Sequence, residues 1–469
     1  MARIGSIFLG HSGRTFPKLA SIPSDSPRKN RRSPMPSVLP RLFIAAAIIA
    51  ALSTSCALGG SMAVLWTDTP EILAAAEMFN ASQDRHRIVV SFEEDLATSL
   101  SRAADSQEEL PALALGRGLR TSSLKDAFAG LDHLFGGLGL EKESFYPSLL
   151  AAGGVDERQV LLPVSFNALM LISKRDFPGG NLETLEAPAL ETPLLGMEGL
   201  RRNLARNPAG EAAMGFSPRW PDRDFLFQFA QQRGAMFAER TDRRDKASSP
   251  APLSWSGEGL EKAARDLEDF IQEFNASKEK EDAFAFRYLS APTYRNVESG
   301  RLLYGAMDSS AYFLLSPVAK ARLGFSYFGE NGVLIALEDI RYMGILKKAK
   351  GKRAAEKFIL WFFDPRNQQA LLERSKIRRS SESSFGIAGG FSALKNVTTS
   401  DFPSFYPELR GRTPPPESVA APAVMPPGWK RLKDELVIPW LSDGGSSSED
   451  FALRLDAFLK RNPELRQGY

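Results

Sequence analysis

"VLLPVSFNALMLISKRDF", Val160–Phe177, is the stretch of sequence that decides the fold. Two apolar strand runs, Gln159–Leu162 and Ala168–Ser173, are separated by a proline and by the polar residues Ser165 and Asn167. Because proline cannot donate to a strand ladder, the segment is not expected to form one uninterrupted central strand. It is typical of a place where the chain crosses from one lobe to another.

Strands and helices alternate ahead of this crossing. Strands are predicted at Ser61–Thr67, His86–Phe92 and Pro111–Gly116, with two stretches of helical periodicity between them. Thr69 or Asp68 is positioned to be the N-cap of the first helix. Strand–helix–strand alternation at this spacing predicts right-handed crossovers and a mostly parallel sheet, so the fold class is α/β.

The chain beyond the crossing is longer and more varied. It contains an amphipathic helix within 257–276, a buried strand within Gly300–Pro317, a proline-rich stretch at Thr413–Pro427 and a last amphipathic helix at Glu449–Arg461. Folded cores usually divide beyond roughly 250–300 residues. Residues 57–469 are therefore expected to form two lobes.

The N-terminal segment has the features of an export signal. Leu42–Leu52 is apolar throughout, follows a basic region and is too short to cross a bilayer as a helix. Small residues then lead to Cys56, the one cysteine of the 469-residue chain. Cleavage before Cys56 would make it the mature N-terminus, and Met35 is better placed than Met1 to start such a signal. The alternative is an uncleaved membrane anchor with an incidental cysteine.

The distribution of charge supports this division. The whole chain has a net charge of +3, but Met1–Ser55 contains eight Lys or Arg residues and one Asp, so residues 56–469 carry −4. A basic chain would suggest nucleic acid as a partner. Here the excess positive charge belongs to the targeting segment, so it does not indicate such a partner for the mature chain. A single cysteine allows no disulfide within the chain, so stability must come from core burial.

Five stretches of the mature chain follow one another in a familiar order. They are "MAVLWTDTPEILAAAEMFNASQDRHRIVVSF", "VLLPVSFNALMLISKRDF", "VESGRLLYGAMDSSAYFL", "MGILKKAKGKRAAEKFILWFFDPRNQQAL" and "DELVIPWLSDG". Their order resembles that of the extracellular solute-binding proteins of ABC importers, family 1, the class that includes maltose-binding protein. The segment before Cys56 resembles a bacterial lipoprotein signal, with Ser53 at the position where that signal usually has leucine.

The resemblance implies a two-lobed periplasmic-binding-protein fold, type II-like, with an interlobe cleft and crossing hinge strands. Lobe I is expected at about 57–162 and 330–378, and lobe II at about 168–328 and 380–469. The implied function is to bind a small solute, most often a carbohydrate, and to deliver it to the permease subunits of an ABC transporter. No cofactor is implied. The resemblance places the protein on the periplasmic or extracellular face of a membrane, held by lipidated Cys56.

Candidate ligand-binding residues follow from the chemistry of sugars. Flat aromatic faces stack on sugar rings, and planar amides, carboxylates and guanidinium groups bind paired hydroxyls. Trp66, Thr67 and Asp68 end the first strand, where a parallel sheet opens into a cleft. The alternatives are core packing for Trp66 and capping by the other two. Ser165 and Asn167 at the crossing are candidate contacts, or else they satisfy backbone groups of the hinge.

Lobe II supplies the remaining candidates. Asp308, Ser309 and Tyr312 follow a buried strand, and Trp220, in the turn "FSPRWPDRD", is either a stacking platform or a cap on the core of that lobe. One feature departs from the family: the Pro-Asp that commonly ends its third strand is replaced by "LPALALGRG", with Ala112 in place of a carboxylate. This departure keeps open an alternative function, a degenerate lipoprotein of this fold that acts in sensing, adhesion or envelope structure without transport.

The sequence favours a binding protein over an enzyme. The mature chain has two histidines, His86 and His133, and no HExxH, CxxC, GxSxG or GKS/T element. The common zinc, redox, hydrolase and nucleotide signatures are therefore missing, and no metal site is expected. A glycosidase needs only two well-placed carboxylates, so that alternative stays open.

Overall fold

The computed structural model describes residues 60–106, 109–137, 139–175, 193–210, 214–220, 223–240, 252–445 and 447–466. These residues belong to one compact unit, Ser55–Tyr469. The export segment and Cys56 lie outside the described residues. Within the ranges just given, no helix is both long enough and apolar enough to span a bilayer.

The strands are numbered in chain order across the described residues. They are β1 (Ser61–Thr67), β2 (His86–Phe92), β3 (Leu113–Gly116), β4 (Gly154–Val155), β5 (Arg158–Gln159), β6 (Leu162–Phe166), β7 (Leu169–Lys174), β8 (Leu194–Leu195), β9 (Ala238–Glu239), β10 (Leu253–Ser254), β11 (Tyr304–Asp308), β12 (Leu323–Phe328), β13 (Leu334–Ile335), β14 (Arg341–Ile345), β15 (Phe391–Ser392) and β16 (Val419–Ala420). The bounds predicted for β1 and β2 agree with those observed.

The α-helices are numbered in the same way. They are α1 (Ile72–Ser82), α2 (Leu96–Ser106), α3 (Pro147–Ala151), α4 (Met197–Arg206), α5 (Arg223–Gln232), α6 (Gly257–Phe274), α7 (Lys278–Tyr288), α8 (Thr293–Glu298), α9 (Ser309–Phe313), α10 (Pro317–Arg322), α11 (Lys352–Phe362), α12 (Pro365–Ile377), α13 (Phe402–Phe405), α14 (Trp429–Leu432), α15 (Ile438–Asp443) and α16 (Ser448–Arg461). The predicted last helix is confirmed, beginning one residue earlier than expected.

A six-stranded mixed sheet contains both the N-terminal strands and β6, the first strand of the crossing. Its order is β15-β6-β14-β3-β1-β2. β1 runs parallel to β2 and β3, as the strand–helix alternation predicts. β14 returns from the far part of the sequence and runs antiparallel to both β3 and β6. We call the part of the molecule built on this sheet lobe I.

A four-stranded sheet forms the second structural centre, and we call the part built on it lobe II. Its order is β11-β7-β12-β8, with β7 antiparallel to both β11 and β12. Side chains of β7 alternate between two hydrophobic clusters: Leu169 and Leu171 belong to one, and Met170 and Ile172 to the other. Both faces of β7 are therefore covered. The α/β class is confirmed, while the sequence limits of each lobe remain predictions.

The crossing differs from its prediction in one respect. Pro163 was expected to separate two strands, but it lies inside β6, where it is the partner of Tyr342 on β14. The register of that pair shifts between Arg341 and Tyr342, and β15 pairs with β6 only at Ser165 and Phe166. A strand can accommodate proline where its ladder is irregular or one edge is unpaired. The break between strands instead falls between Phe166 and Leu169.

A buried carboxyl group lies in lobe II, away from the crossing. Glu281 in α7 is only 1% exposed. Its Oε1 accepts a hydrogen bond of 2.5 Å from Asn275, and its Oε2 is 3.6 Å from Nη1 of Arg219. Burial raises the pKa of Glu281 to about 7 from an ordinary 4.5, although the Asn275 amide and the Arg219 charge act in the opposite direction.

This carboxyl predicts how stability depends on pH. Between pH 4.5 and about 7 the folded chain keeps a proton that the unfolded chain releases, so the free energy of unfolding falls as the pH rises, by about 3 kcal/mol. Glu281→Gln mimics the protonated group and should remove this loss. We expect the variant to be more stable than wild type at pH 8 and nearly equal to it at pH 4.5, as measured by urea unfolding.

A matched control tests whether the effect is specific to the buried group. Asp282 follows Glu281 and contacts the same Arg219 at 3.0 Å, but its side chain is 64% exposed. Asp282→Asn should leave the pH dependence of wild type intact. If the Glu281→Gln curve runs parallel to the wild-type curve between pH 4.5 and 8, this assignment is wrong.

Candidate ligand-binding site

Asn167 is the centre of a hydrogen-bond network at the crossing. Its side chain is buried, and its Nδ2 donates to Oδ2 of Asp339 at 2.8 Å and to the carbonyl of Gly389 at 3.0 Å. Its Oδ1 accepts a bond of 2.9 Å from the hydroxyl of Ser309. Four chain segments far apart in sequence therefore meet at one amide, where β6 ends and β7 begins.

Two other predicted residues, Ser165 and Ser309, hold backbone at the same place. The Ser165 hydroxyl is fully buried and donates to the carbonyl of Ala388 at 3.1 Å. The Ser309 hydroxyl also accepts the backbone N–H of Ala168 at 3.1 Å. Both contacts favour the alternative in which the hydroxyls of Ser165 and Ser309 form hydrogen bonds with backbone groups of the hinge.

Asp308 lies at the end of β11, beside this network. Its Oδ1 accepts the backbone N–H of Ala311 at 2.7 Å and so caps α9. Burial raises the pKa of the Asp308 carboxyl, and the negative charges of Asp339 and Asp224 act in the same direction. Asp224 pairs with Nζ of Lys433 at 2.9 Å, and Asp339 accepts a hydrogen bond from Asn167 at 2.8 Å.

The predicted trio at the end of β1 is held mainly by protein contacts. Oδ2 of Asp68 accepts hydrogen bonds from Nε and the backbone N–H of Arg117 at 3.0 and 3.2 Å, and Oδ1 accepts the Thr69 hydroxyl at 2.8 Å. The Asp68 side chain is 5% exposed. Thr67 is buried and accepts the backbone N–H of Thr69. The carboxylate of Asp68 therefore shapes the strand end.

The predicted N-cap of α1 is wrong. The helix begins at Ile72 with Glu71 at the N-cap position, and no side chain caps it. No side chain caps the helix because those of Asp68 and Thr69 are engaged in other contacts, Asp68 with Arg117 and Thr69 with Asp68 and Arg341. A turn closed by the Ile72 N–H and the Thr69 carbonyl at 3.2 Å separates strand from helix.

Arg341 connects this strand end to the Asn167 network. Its Nε donates to the Thr69 hydroxyl at 3.1 Å, and its Nη1 lies 3.7 Å from Oδ2 of Asp339. Within the described residues, Nη1 of Arg341 and Oδ1 of Asp339 are buried atoms with no hydrogen-bond partner. One donor and one acceptor are thus left unsatisfied side by side, where lobe I meets the crossing.

Gly389 fits closely over this guanidinium group. Its backbone has φ of +77°, and a Cβ atom at that position would lie 3.1 Å from Nη2 of Arg341. A side chain would meet both the conformational penalty of positive φ and this contact. Glycine therefore allows the chain at position 389 to approach Arg341 while the Gly389 carbonyl accepts a hydrogen bond from Asn167.

The three predicted aromatic residues occupy different environments. Trp66 is half-buried at the end of β1 and packs on the lobe I core, so part of its ring is accessible. Trp220 is 5% exposed, donates its indole N–H to Thr293 at 3.1 Å and meets Phe284 edge-on at 5.5 Å. Tyr312 is fully buried beside Phe325. These contacts favour the core alternative for Trp220 and place Tyr312 apart from the Asn167 network.

Contacts between the lobes flank this region. The backbone N–H and hydroxyl of Ser122, after β3, donate to the Glu239 carboxylate at 3.2 and 2.6 Å, and Arg120 donates to the carbonyl of Pro422 at 3.1 Å. A cavity of about 210 Å³ lies beside them, lined partly by Arg120, Tyr342 and Trp429. It is large enough for a small polar ligand and adjoins the strand ends of lobe I.

Asp339 and Arg341 were not among the predicted site residues. They occur in "ALEDIRYMG" on either side of buried Ile340, immediately before and at the start of β14. The sequence feature that could have indicated these residues is a pair of opposite charges on either side of an apolar residue, at the start of a buried strand. Their meeting with Asn167 and Thr69 depends on contacts across 172 and 272 residues, which the sequence pattern does not contain.

Comparisons with known proteins identify the fold. No protein-family model matches the chain, and no curated protein sequence does. The solved cyclic alpha-maltosyl-1,6-maltose binding protein from Arthrobacter globiformis is 18% identical, with 88% of this chain and 100% of that chain covered and a TM-score of 0.54. The sugar-binding protein MalE from Xanthomonas citri is 15% identical, with 87% and 100% covered and a TM-score of 0.54.

A third solved structure extends the comparison. The galacto-N-biose-/lacto-N-biose I-binding protein of the ABC transporter from Bifidobacterium longum is 15% identical, with 86% and 98% covered and a TM-score of 0.52. At these identities the likeness establishes the fold. The chain has the two-lobed α/β fold with crossing strands that these solved structures share. More narrowly, its fold is that of the maltose-binding-protein-like solute-binding proteins of ABC importers.

Proposed function

We propose that this protein is an exported receptor that binds a carbohydrate between its lobes and delivers it to an ABC importer. The observation that carries the proposal is the pair of unsatisfied atoms, Nη1 of Arg341 and Oδ1 of Asp339, at the junction of lobe I and the crossing. Buried polar atoms in native proteins almost always have partners. A ligand that supplies both an acceptor and a donor would complete this pair.

Neighbouring hydroxyl groups of a sugar ring meet that requirement. Each hydroxyl donates one hydrogen bond and accepts others, so adjacent hydroxyls can bind a guanidinium and a carboxylate at once. The accessible part of the Trp66 ring adds an apolar face at the adjoining end of β1.

The crossing strands suggest how binding is transmitted. Asn167 joins Asp339 to Ser309, so a ligand held by Asp339 is two hydrogen bonds from the first residue of α9 in lobe II. A ligand that contacts both lobes binds the closed arrangement better and shifts the population toward it. Recognition of that closed state by permease subunits would couple binding to transport.

The structural neighbours support a carbohydrate as the ligand class. The Arthrobacter globiformis protein is a cyclic alpha-maltosyl-1,6-maltose binding protein, and the Bifidobacterium longum protein was solved in complex with lacto-N-biose. The alternative of a degenerate lipoprotein without solute binding is not favoured, because the Arg341–Asp339 pair is unsatisfied without a ligand.

A thermal-shift screen tests the proposed function by ligand class. We expect a neutral oligosaccharide at 100 times its Kd to raise the melting temperature by about 5 °C, because it stabilises the folded state by about 2.7 kcal/mol. Amino acids, polyamines and phosphorylated polyols serve as comparison classes. A panel in which no saccharide raises the melting temperature, or in which amino acids alone do, would contradict a carbohydrate receptor.

The export segment supports attachment to a membrane through Cys56, which we include in the proposal. Cys56→Ala removes the thiol that would carry the lipid, so the protein should move from the membrane fraction to the soluble envelope fraction, as measured by detergent phase partitioning. Ser53→Leu is the matched control, since it restores the leucine usual in lipoprotein signals and should keep the protein in the membrane. Unchanged membrane association of Cys56→Ala would exclude lipid anchoring at this residue.

A further inference from the structure

We propose a second binding site in lobe II, for a phosphate group that carries a proton: free hydrogen phosphate, or the monoanion of a phosphate ester. The site is a cavity of about 250 Å³ whose lining includes Arg175, Arg410, Arg412, Glu408 and Tyr312. Three guanidinium groups against one carboxylate make it strongly cationic. Arginine is well suited to bind phosphate because its planar fork donates two parallel hydrogen bonds.

The hydroxyl of Tyr312 identifies the cavity as more than a patch of surface arginines. This side chain is fully buried, and its oxygen has no hydrogen-bond partner among the described residues. Burial raises the pKa of Tyr312, and Glu408, Arg175 and Arg412, whose charges also act on this pKa, line the same cavity. A buried phenol that borders a cationic cavity and has no hydrogen-bond partner among the described residues can donate its hydrogen bond to a bound anion.

Glu408 selects the kind of anion. Its Oε1 lies 3.4 Å from Nζ of Lys320, while its Oε2 is buried without a hydrogen-bond partner within the described residues. This free carboxylate oxygen would repel a fully deprotonated anion such as sulfate. Hydrogen phosphate retains one P–OH group that can donate to it. The combination of arginines, a phenol and one acceptor therefore matches a protonated phosphate.

The local structure holds the cationic side chains in place. Nε of Arg175 donates to the carbonyl of Ala321 at 2.9 Å, and Nη2 donates to the carbonyl of Lys320 at 3.2 Å. The carbonyl of Arg412 accepts the Tyr327 hydroxyl at 3.0 Å. These hydrogen bonds hold one edge of the Arg175 guanidinium against backbone carbonyl groups. The side chain therefore loses less conformational entropy when an anion binds.

The site is distinct from the proposed saccharide site. Arg175 follows the end of β7 that is remote from the crossing, and a strand rise of about 3.3 Å per residue separates it from Leu169 by about 20 Å. The inference does not depend on the proposed sugar-binding function, because none of the residues that carry it belongs to the Asn167 network.

Calorimetric titration of the full chain with inorganic phosphate, glycerol 3-phosphate and sulfate tests the proposal at about pH 5.5, where most of each phosphate carries a proton. We expect phosphate or the ester to bind at least tenfold more tightly than sulfate. Tighter binding of inorganic phosphate would identify the ligand as free phosphate, and tighter binding of glycerol 3-phosphate would identify it as a phosphorylated molecule. No binding of either, or equal binding of sulfate, would overturn the assignment.

Two variants and one control locate the site. Tyr312→Phe and Arg412→Gln should each weaken phosphate binding about tenfold, by loss of one hydrogen bond to a charged group. Arg322→Gln removes the same charge from an exposed position in the same lobe and should change the affinity less than twofold. Wild-type affinity in both test variants would refute the site.

The stability of Tyr312→Phe without phosphate provides an independent check. Because the hydroxyl has no hydrogen-bond partner in the described part of the chain, its removal should leave the melting temperature in phosphate-free buffer unchanged or raise it. A lower melting temperature would show that the hydroxyl is satisfied within the protein, which would also refute the proposal.

Discussion

Replacing Arg341 with glutamine is expected to lower the affinity of the protein for its saccharide ligand by about 100-fold. Glutamine cannot present the Nη1 donor that is left unsatisfied beside Asp339, and it removes the positive charge between Asp339 and Thr69. Hydrogen bonds to charged groups contribute about 1.5–3 kcal/mol each, and 2.7 kcal/mol corresponds to about 100-fold. Calorimetric titration with the best saccharide from the thermal-shift screen measures the change.

Two further variants separate ligand binding from structure. Asp339→Asn is nearly isosteric and keeps an oxygen to accept the Asn167 N–H, so it should weaken binding about tenfold with little loss of stability. Arg353→Gln removes a charge from an exposed position on α11 and should bind normally. An Arg341→Gln protein that is folded and binds within threefold of wild type would exclude Arg341 from the site.

Asn167→Leu is expected to be the most destabilising of the substitutions considered. It keeps the side-chain volume but leaves the Asp339 carboxylate, the Gly389 carbonyl and the Ser309 hydroxyl without their shared partner. Leaving a buried polar group unsatisfied costs about 1–3 kcal/mol, so the total loss should be about 4 kcal/mol. Urea unfolding monitored by tryptophan fluorescence measures this loss.

A structural asparagine elsewhere provides the matched control. The side chain of Asn80 also makes two backbone hydrogen bonds, both to Ile88, at 2.8 and 2.9 Å, within lobe I. Asn80→Ala should reduce stability and leave saccharide affinity unchanged, whereas Asn167→Leu should reduce both. If Asn167→Leu unfolds at the same urea concentration as wild type, the network does not hold the crossing as described.

The sequence was informative wherever local pattern determines structure. The bounds of β1 and β2 follow from short apolar runs between turn residues, and α16 follows from its apolar stripe. Asn167 could be selected because an amide between two buried strands needs several partners. The error at Pro163 arose because the irregular register of β14 that accommodates it belongs to another part of the chain.

The unpredicted part of the site depends on long-range contacts. Arg341 and Asp339 come close to Thr69 and Asn167 only because β14 lies between β3 and β6 in the sheet. Trp220 is a second example: its sequence left a stacking platform and a core cap both open, and Phe284 and Thr293, more than sixty residues away, pack against it. Local polarity gives no information about such tertiary packing.

Small-angle X-ray scattering of the protein with and without a saturating saccharide tests the central claim most directly. The claim is that two lobes joined at Asn167 close on a sugar held beside Arg341 and Asp339. We predict that the radius of gyration falls when the saccharide is added, and that Arg341→Gln shows no such fall at the same concentration. A saccharide that binds wild type with no change in scattering would contradict the claim.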